Sequence, residues 1–364
     1  MNMNPKLRPL WKRLLLTVAA SGALVYKALH LPTSILPRDL RSILTNWEYE
    51  TFWMLIKSRF TKAYIDQPCY FKMPKVIESK VDVAPEYRLS KQELRDFYEQ
   101  GFIGPFDAFT PAQMSDFKQD LEARENRLSE TYNFVTPRDQ HFEMPRMWNY
   151  FKTPAITERL AQILGPDLLV WRAQTFYKRQ GAPAIQWHQA STFLCEDYQD
   201  PAIYPVDRSE IFQVTVWIAV DDATPDNGCM RFAPGTHNSI KPVKFGGREG
   251  FFNAMYTLEF EQQAQPLIEV PVQAGQFILF TERCIHGSGP NLSGDRLAFN
   301  MRVIPTKVPA YPNKKYYRSI YQGGKYWLDK WGVALLRGED RYQLSRTIPP
   351  EDLERSRPSI RQAA

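Results

Sequence analysis

The chain has 364 residues, 43% of them hydrophobic and 24% charged, a balance that suits a globular protein with material for one extended core or two ordinary ones. Its four cysteines (Cys69, Cys195, Cys229 and Cys284) include no Cys-x-x-Cys pair, which excludes a disulfide framework or cysteine zinc site as the natural reading and makes a reducing cytoplasm the default. The net charge of +6 is uneven: residues 1–80 hold 13 Lys/Arg against 5 Asp/Glu, with no nucleic-acid recognition module beside them, so an anionic membrane surface or an acidic partner protein fits better than nucleic acid.

In chain order, the first feature is an apolar run over residues 14–29, preceded by Lys6, Arg8, Lys12 and Arg13 and broken by Lys27. It is shorter than the roughly 20 residues of a membrane span. It also lacks the small-residue cleavage pattern of a signal peptide. An amphipathic or buried helix is expected, with peripheral membrane contact through residues 10–30 as the alternative, Lys27 reaching to the headgroups. Helical pieces follow around residues 40–62, then a linker punctuated by proline from Pro68 to Pro85. Trp47, Phe52, Trp53 and Phe60 read as core or docking residues.

A second organisation starts at Ser90. Ser90-Lys-Gln-Glu93 is a capping box that opens a helix ending at Gly101. Thr110-Pro111 supplies an N-cap with proline at the first helical position, predicting a helix over residues 112–127. A short helix over 155–164 is closed by Gly165-Pro166. Beyond it, short strands are expected at 168–177, 212–220, 228–232, 267–272, 276–281 and 297–305, split by Gly, Pro and Asn turns. Helices beside many short antiparallel strands point to an α+β architecture around a jelly roll. Residues 306–350 are expected to wrap it as loops and a terminal helix. Three segments result: a basic helical extension (1–89), a catalytic domain (90–350) and a tail (351–364).

Five histidines can be weighed one by one. His30 lies in the basic leader and His141 in a loop rich in Pro and Met, and both read as surface or structural. His237, in Pro-Gly-Thr-His, reads as a turn cap. His188 and His286 each end a strand-like stretch, as two metal ligands on opposing strands would. The usual iron(II) oxygenase site is His-x-Asp/Glu with a distant His. Two residues after His188, however, stands Ala190. A methyl group cannot bind iron, so either the site is dead or a species from solution takes the carboxylate's place. Arg296 and Arg302 follow His286, and their even separation puts both side chains on one strand face. A buried guanidinium needs an anion, and a dicarboxylic co-substrate supplies one. A rim salt bridge to Glu282 or Asp295 explains either arginine equally well.

Together these pieces resemble the phytanoyl-CoA dioxygenase-like iron(II)/2-oxoglutarate enzymes, and among them the chlorinating enzymes of the syringomycin type. The resemblance covers about residues 90–345. It rests on Gly101-Phe-Ile-Gly-Pro-Phe-Asp-Ala-Phe, Trp187-His-Gln-Ala, Thr215-Val-Trp, Asp226-Asn-Gly-Cys, Pro234-Gly-Thr, Ala274-Gly-Gln-Phe-Ile, His286, the two arginines, and Gly323-Gly-Lys with Lys330-Trp-Gly-Val. It implies a cupin-like double-stranded β-helix with His188 and His286 as iron ligands. Arg296 would pair with the distal carboxylate of 2-oxoglutarate, with Trp217 beside that co-substrate. Chloride would bind at Ala190, with Thr215 and Arg302 near it. Ile185 and Cys195 depart from the pattern, each replacing a polar residue. The implied reaction uses Fe(II), O2, 2-oxoglutarate and chloride to chlorinate an unactivated aliphatic carbon of a small-molecule, acyl or aminoacyl substrate, which in related enzymes is commonly tethered to a carrier protein. A two-histidine hydroxylase (Glu196 or Asp197 being candidate substitute ligands) and a non-catalytic binding relative are the alternatives. A cytoplasmic location is expected, with membrane association of the leader as the alternative.

Overall fold

The structure, a computed structural model, describes residues 10–37, 40, 44, 49–63, 70–189, 202–245, 256–312, 314–318 and 325–354. Ala190, Cys195, Glu196 and Asp197 therefore lie outside the described residues, as do parts of the segment 40–62 and the tail beyond 354.

Helix α1 (Leu10–Ala28) packs on α2 (Tyr49–Lys57) through Ala20, Leu16, Leu55 and Phe60, and strand β1 (Lys62–Ala63) follows. Helix α3 (Lys91–Gln100) begins as its capping box requires: Ser90 Oγ accepts from Glu93 N at 3.1 Å, and the Glu93 carboxylate accepts from Ser90 N at 2.7 Å. It ends at Gly101, whose φ of 91° lies in the left-handed region. A Cβ at Gly101 would stand 2.8 Å from the His237 ring, so glycine is needed both for the turn and for the close approach. Strand β2 (Phe102–Asp107) leads to α4 (Pro111–Arg124), capped by Thr110 and ending three residues earlier than its sequence suggests. Helix α5 (Pro145–Phe151), unforeseen in the sequence, is followed by α6 (Pro154–Leu164).

The remaining strands are β3 (Leu168–Lys178), β4 (Ile185–His188), β5 (Val214–Ala219), β6 (Met230–Ala233), β7 (Val243–Phe245), β8 (Tyr256–Leu258), β9 (Ile268–Val270), β10 (Gln276–Phe280), β11 (Ile285–Ser288) and β12 (Arg296–Pro305). The two larger antiparallel sheets are a six-stranded one ordered β15-β3-β12-β5-β10-β2, with β15 spanning Ala334–Arg337, and a four-stranded one ordered β4-β11-β6-β9, beside a small three-stranded sheet ordered β1-β7-β8. The fold is thus α+β, with antiparallel sheets and flanking helices. Residues 306–350 do more than wrap it. Besides the hairpin of β13 (Tyr316–Arg318) and β14 (Lys325–Trp327), they supply β15, the edge strand that pairs with β3. The short apolar run Ala-Leu-Leu-Arg carries no alternation to reveal this. Helix α7 (Pro350–Glu354) closes the described chain.

The alternation along β12 sorts the core. Leu297, Phe299, Met301 and Val303 face the helices, where Phe117 meets Phe299 edge-on at 5.4 Å. Ala298 faces the four-stranded sheet, in a cluster with Trp217, Ile278, Phe280 and Phe232. Arg296, Asn300 and Arg302 share the parity of Ala298 and so belong to this inner face. Stacking of Phe102 on Phe232 at 4.4 Å joins the two sheets, and replacing such a buried aromatic by alanine costs about 3–5 kcal/mol.

Candidate iron and co-substrate site

Strands β4 and β11 are neighbours, and His188 and His286 lie directly opposite in their antiparallel register. The two imidazole centroids are 4.2 Å apart, with planes at 53°. Gly287 permits this approach: a Cβ there would stand 2.6 Å from the Ile185 carbonyl oxygen of the adjoining strand. Beyond His188, the buried Gln189 side chain donates to Ser239 O at 2.9 Å and Arg283 O at 2.6 Å and accepts from Lys241 N at 2.8 Å. These bonds pin the end of β4.

Both imidazoles are held alike. His188 Nδ1 lies 2.8 Å from Gln186 O, and His286 Nδ1 lies 2.7 Å from Cys284 O. A carbonyl only accepts, so Nδ1 carries the proton in each ring and Nε2 keeps its lone pair for a metal. Burial pushes His188 down to about 4, opposed by the Gln186 carbonyl and aided by Arg302. His286 falls well below the usual range, through burial and then His188, with Arg302 adding to the effect. At neutral pH both rings are uncharged, the state that ligation needs. Among the described residues no His, Cys, Asp or Glu joins them as a third ligand.

The two arginines differ in their surroundings. Asp295 pairs with Arg179 at 2.7 Å, and Glu282 stands 3.6 Å from Arg283, so neither rim bridge expected for Arg296 forms. Arg296 is 2% exposed, and its Nε and Nη1 have no hydrogen-bond partner. Its guanidinium lies 5.3 Å from the Trp217 ring centroid, and burial pushes it down to about 10. Arg302 faces Arg172 across β3 and Thr215 across β5. The Thr215 hydroxyl is buried without a hydrogen-bond partner.

Lys178 is the residue that sequence reasoning missed. It lies opposite Arg296 in the β3–β12 register. Its Nζ donates to Ser288 Oγ at 3.1 Å and Pro183 O at 3.0 Å. Burial, then Arg296 and Arg231, push the ammonium down to about 8. Like charges directly opposite one another destabilise a sheet, and an anion between them would reverse the sign. Ser288 shares the inner face with His286, so His286, Ser288, Lys178 and Arg296 run continuously from the histidine pair to the buried arginine. A sequence signal existed: Arg172 and Lys178 have the same six-residue spacing as Arg296 and Arg302.

The other histidines are accounted for. His30 is exposed, and His141 is buried against Phe142 and Phe151. His237 sits in a turn, buried, with Nε2 3.0 Å from Tyr98 O. A groove of about 720 Å3 between α2 and Pro242, lined by Trp53, Met54, Lys57 and Glu259, contains none of the site residues.

Two antiparallel sheets face each other over a histidine pair set for ligation and a buried unpaired arginine, which is the arrangement of a non-haem iron(II)/2-oxoglutarate oxidoreductase. The phytanoyl-CoA dioxygenase (PhyH) family model matches residues 97–298, more than half of the chain, and the chain belongs to that family. It is 23% identical over 237 residues to a probable phytanoyl-CoA dioxygenase of Caenorhabditis elegans, covering 63% of this chain and 72% of that one. With the peroxisomal phytanoyl-CoA dioxygenase of Homo sapiens it shares 23% identity over 175 residues, 48% of this chain and half the length of the relative. The solved structure of CytC3 with Fe(II) and alpha-ketoglutarate is similar at a TM-score of 0.55 and 26% identity, covering 72% of this chain and 94% of that one. Membership implies iron(II) and 2-oxoglutarate. The paired Nε2 atoms and the unpartnered Arg296 nitrogens fit them.

Proposed function

We propose that this chain is a non-haem iron(II)/2-oxoglutarate-dependent halogenase that chlorinates an unactivated aliphatic carbon of a small-molecule, acyl or aminoacyl substrate, free or held on a carrier protein. One observation carries the reading. Ala190 stands where the pattern has its iron-binding carboxylate, while both histidines and Arg296 are kept. A chain that had ceased to bind an anionic co-substrate would have no use for Arg296 and Lys178 buried face to face, since buried unpaired cations destabilise a fold. The same reading takes the two facing sheets as the halves of a cupin-like double-stranded β-helix.

In this reading His188 and His286 hold the metal through Nε2, each oriented by the backbone carbonyl at its Nδ1. Arg296 and Lys178 receive the distal carboxylate of 2-oxoglutarate, with Trp217 against its chain. Iron and the co-substrate, when bound, supply with O2 the oxidising power to remove a hydrogen atom from a C–H bond. Alanine leaves space that chloride would fill and removes a negative charge that chloride would restore. Thr215 and Arg302 furnish a hydroxyl and a positive charge on that face. Phe232 and Phe280 pack around His286 and exclude water.

Hydroxylation by the same two-histidine site is the second reading. The phytanoyl-CoA dioxygenase relatives favour it over chlorination. Anaerobic titration of the iron(II) protein with 2-oxoglutarate, with and without chloride, separates the two. A visible charge-transfer band that shifts on adding chloride is the expected result. A band indifferent to chloride moves the assignment to a hydroxylase. No band in folded, iron-loaded protein removes both in favour of a binding protein.

A further inference from the structure

Helix α1 carries a second apolar face, turned to solvent, besides the one through which it packs on α2. Leu10, Trp11, Leu14, Leu15, Val18 and Val25 point to solvent, Leu10 and Val18 at 70% exposure. At 100° per residue these positions, with Gly22 between them, make one continuous arc along the helix, about 22 Å long. Its packed side carries Leu16 and Ala20, and its hydroxyls bond within the helix itself. Thr17 and Ser21 donate to Arg13 O at 2.8 Å and Thr17 O at 2.9 Å, and Lys27 Nζ donates to Leu44 O at 2.5 Å. Leu29, Leu31 and Ile35 extend the exposed arc, and Tyr49 and Trp53 of α2 are exposed as well. Half of the exposed large apolar side chains among the described residues fall between Leu10 and Trp53. Scattered apolar surface is ordinary, but a contiguous patch of this size marks a contact.

Charge identifies the occupant. No Asp or Glu precedes Asp39, and residues 1–80 carry a net +8. A second copy of the chain would bring the same positive surface against itself. An acidic bilayer complements it, and Trp11, Trp53 and Tyr49 are the side chains that favour the headgroup region. No helix among the described residues is long and apolar enough to cross a membrane. We propose that α1 lies in the plane of an anionic lipid surface, its Leu10–Val25 arc in the acyl boundary and the basic segment against the headgroups.

The test is co-sedimentation of the full chain with phosphatidylcholine vesicles made with and without phosphatidylglycerol. Binding at least about tenfold stronger to the anionic vesicles, and weakening as salt rises, is expected. Leu14→Glu and Val18→Glu, at exposed positions remote from the histidines, should each reduce it by at least about tenfold. Both variants should keep wild-type thermal unfolding and iron binding. Equal binding to neutral and anionic vesicles overturns the lipid-charge assignment. No binding to either overturns the proposal. A lipid-free dimer seen by sedimentation velocity, dissociated by Val18→Glu and without affinity for vesicles, replaces it with self-association.

Discussion

Replacing Arg296 by methionine tests the co-substrate site with two effects of opposite sign. The guanidinium is 2% exposed and pushed down to about 10 by burial, a displacement of about 3 kcal/mol against the charged form. Its folded pKa lies below its unfolded one, so the unfolded chain binds the proton more tightly. The charged arginine therefore subtracts from stability at every pH below about 10. Methionine is of similar length and carries no charge, and the co-substrate-free protein should become more stable by about 1–3 kcal/mol. With 2-oxoglutarate bound as proposed, the same arginine would make two charge-assisted hydrogen bonds worth about 1.5–3 kcal/mol each. Their loss should raise the Kd for 2-oxoglutarate about 10²- to 10⁴-fold. Thermal unfolding with and without 2-oxoglutarate, together with anaerobic calorimetric titration, reads both effects. An Arg296→Met protein that is less stable alone yet binds 2-oxoglutarate as wild type does would make Arg296 a structural cation and refute the reasoning.

Lys178, lowered to about 8, loses its proton in the fold before it would in the unfolded chain. Its stability penalty is therefore fully present below about 8 and relieved as pH rises toward 10.5, while 2-oxoglutarate affinity should fall over that rise. Lys178→Met should bind 2-oxoglutarate more weakly at neutral pH and without this pH dependence; a calorimetric pH series with an unchanged limb would remove Lys178 from the site. Gly287→Ala should force β4 from β11, costing about 1–3 kcal/mol and weakening iron binding in a metal titration, and wild-type iron affinity would show that the strands need not meet so closely. Ala190→Asp should abolish chlorination and make iron binding indifferent to chloride, and continued chlorination by this variant, detected by product mass, would reject the argument from Ala190.

Local chemistry made much of this molecule legible before any folding was considered. The capping boxes at Ser90 and Thr110 act within one helical turn, and the apolar strands announce themselves by composition, so these elements appear within a few residues of their expected bounds. His188 and His286 were legible because ligand chemistry admits few residue types. Strand-like stretches at His188 and His286 were legible too, though without bounds, whereas β15 was not, since four residues carry too little alternation to separate strand from loop. Helix α5, entered at a proline among aromatics, was hidden for the same reason.

By itself the sequence determined the helix caps, the α+β class, the shared face of Arg296 and Arg302, and the alanine where a carboxylate is expected, because each depends on residue type and short-range periodicity. Only the tertiary structure decided which groups meet. Register is a long-range property set by strand pairing, and it placed Lys178 against Arg296 and sent Asp295 to Arg179, while helix packing left Leu10, Leu14 and Leu15 of α1 turned outward.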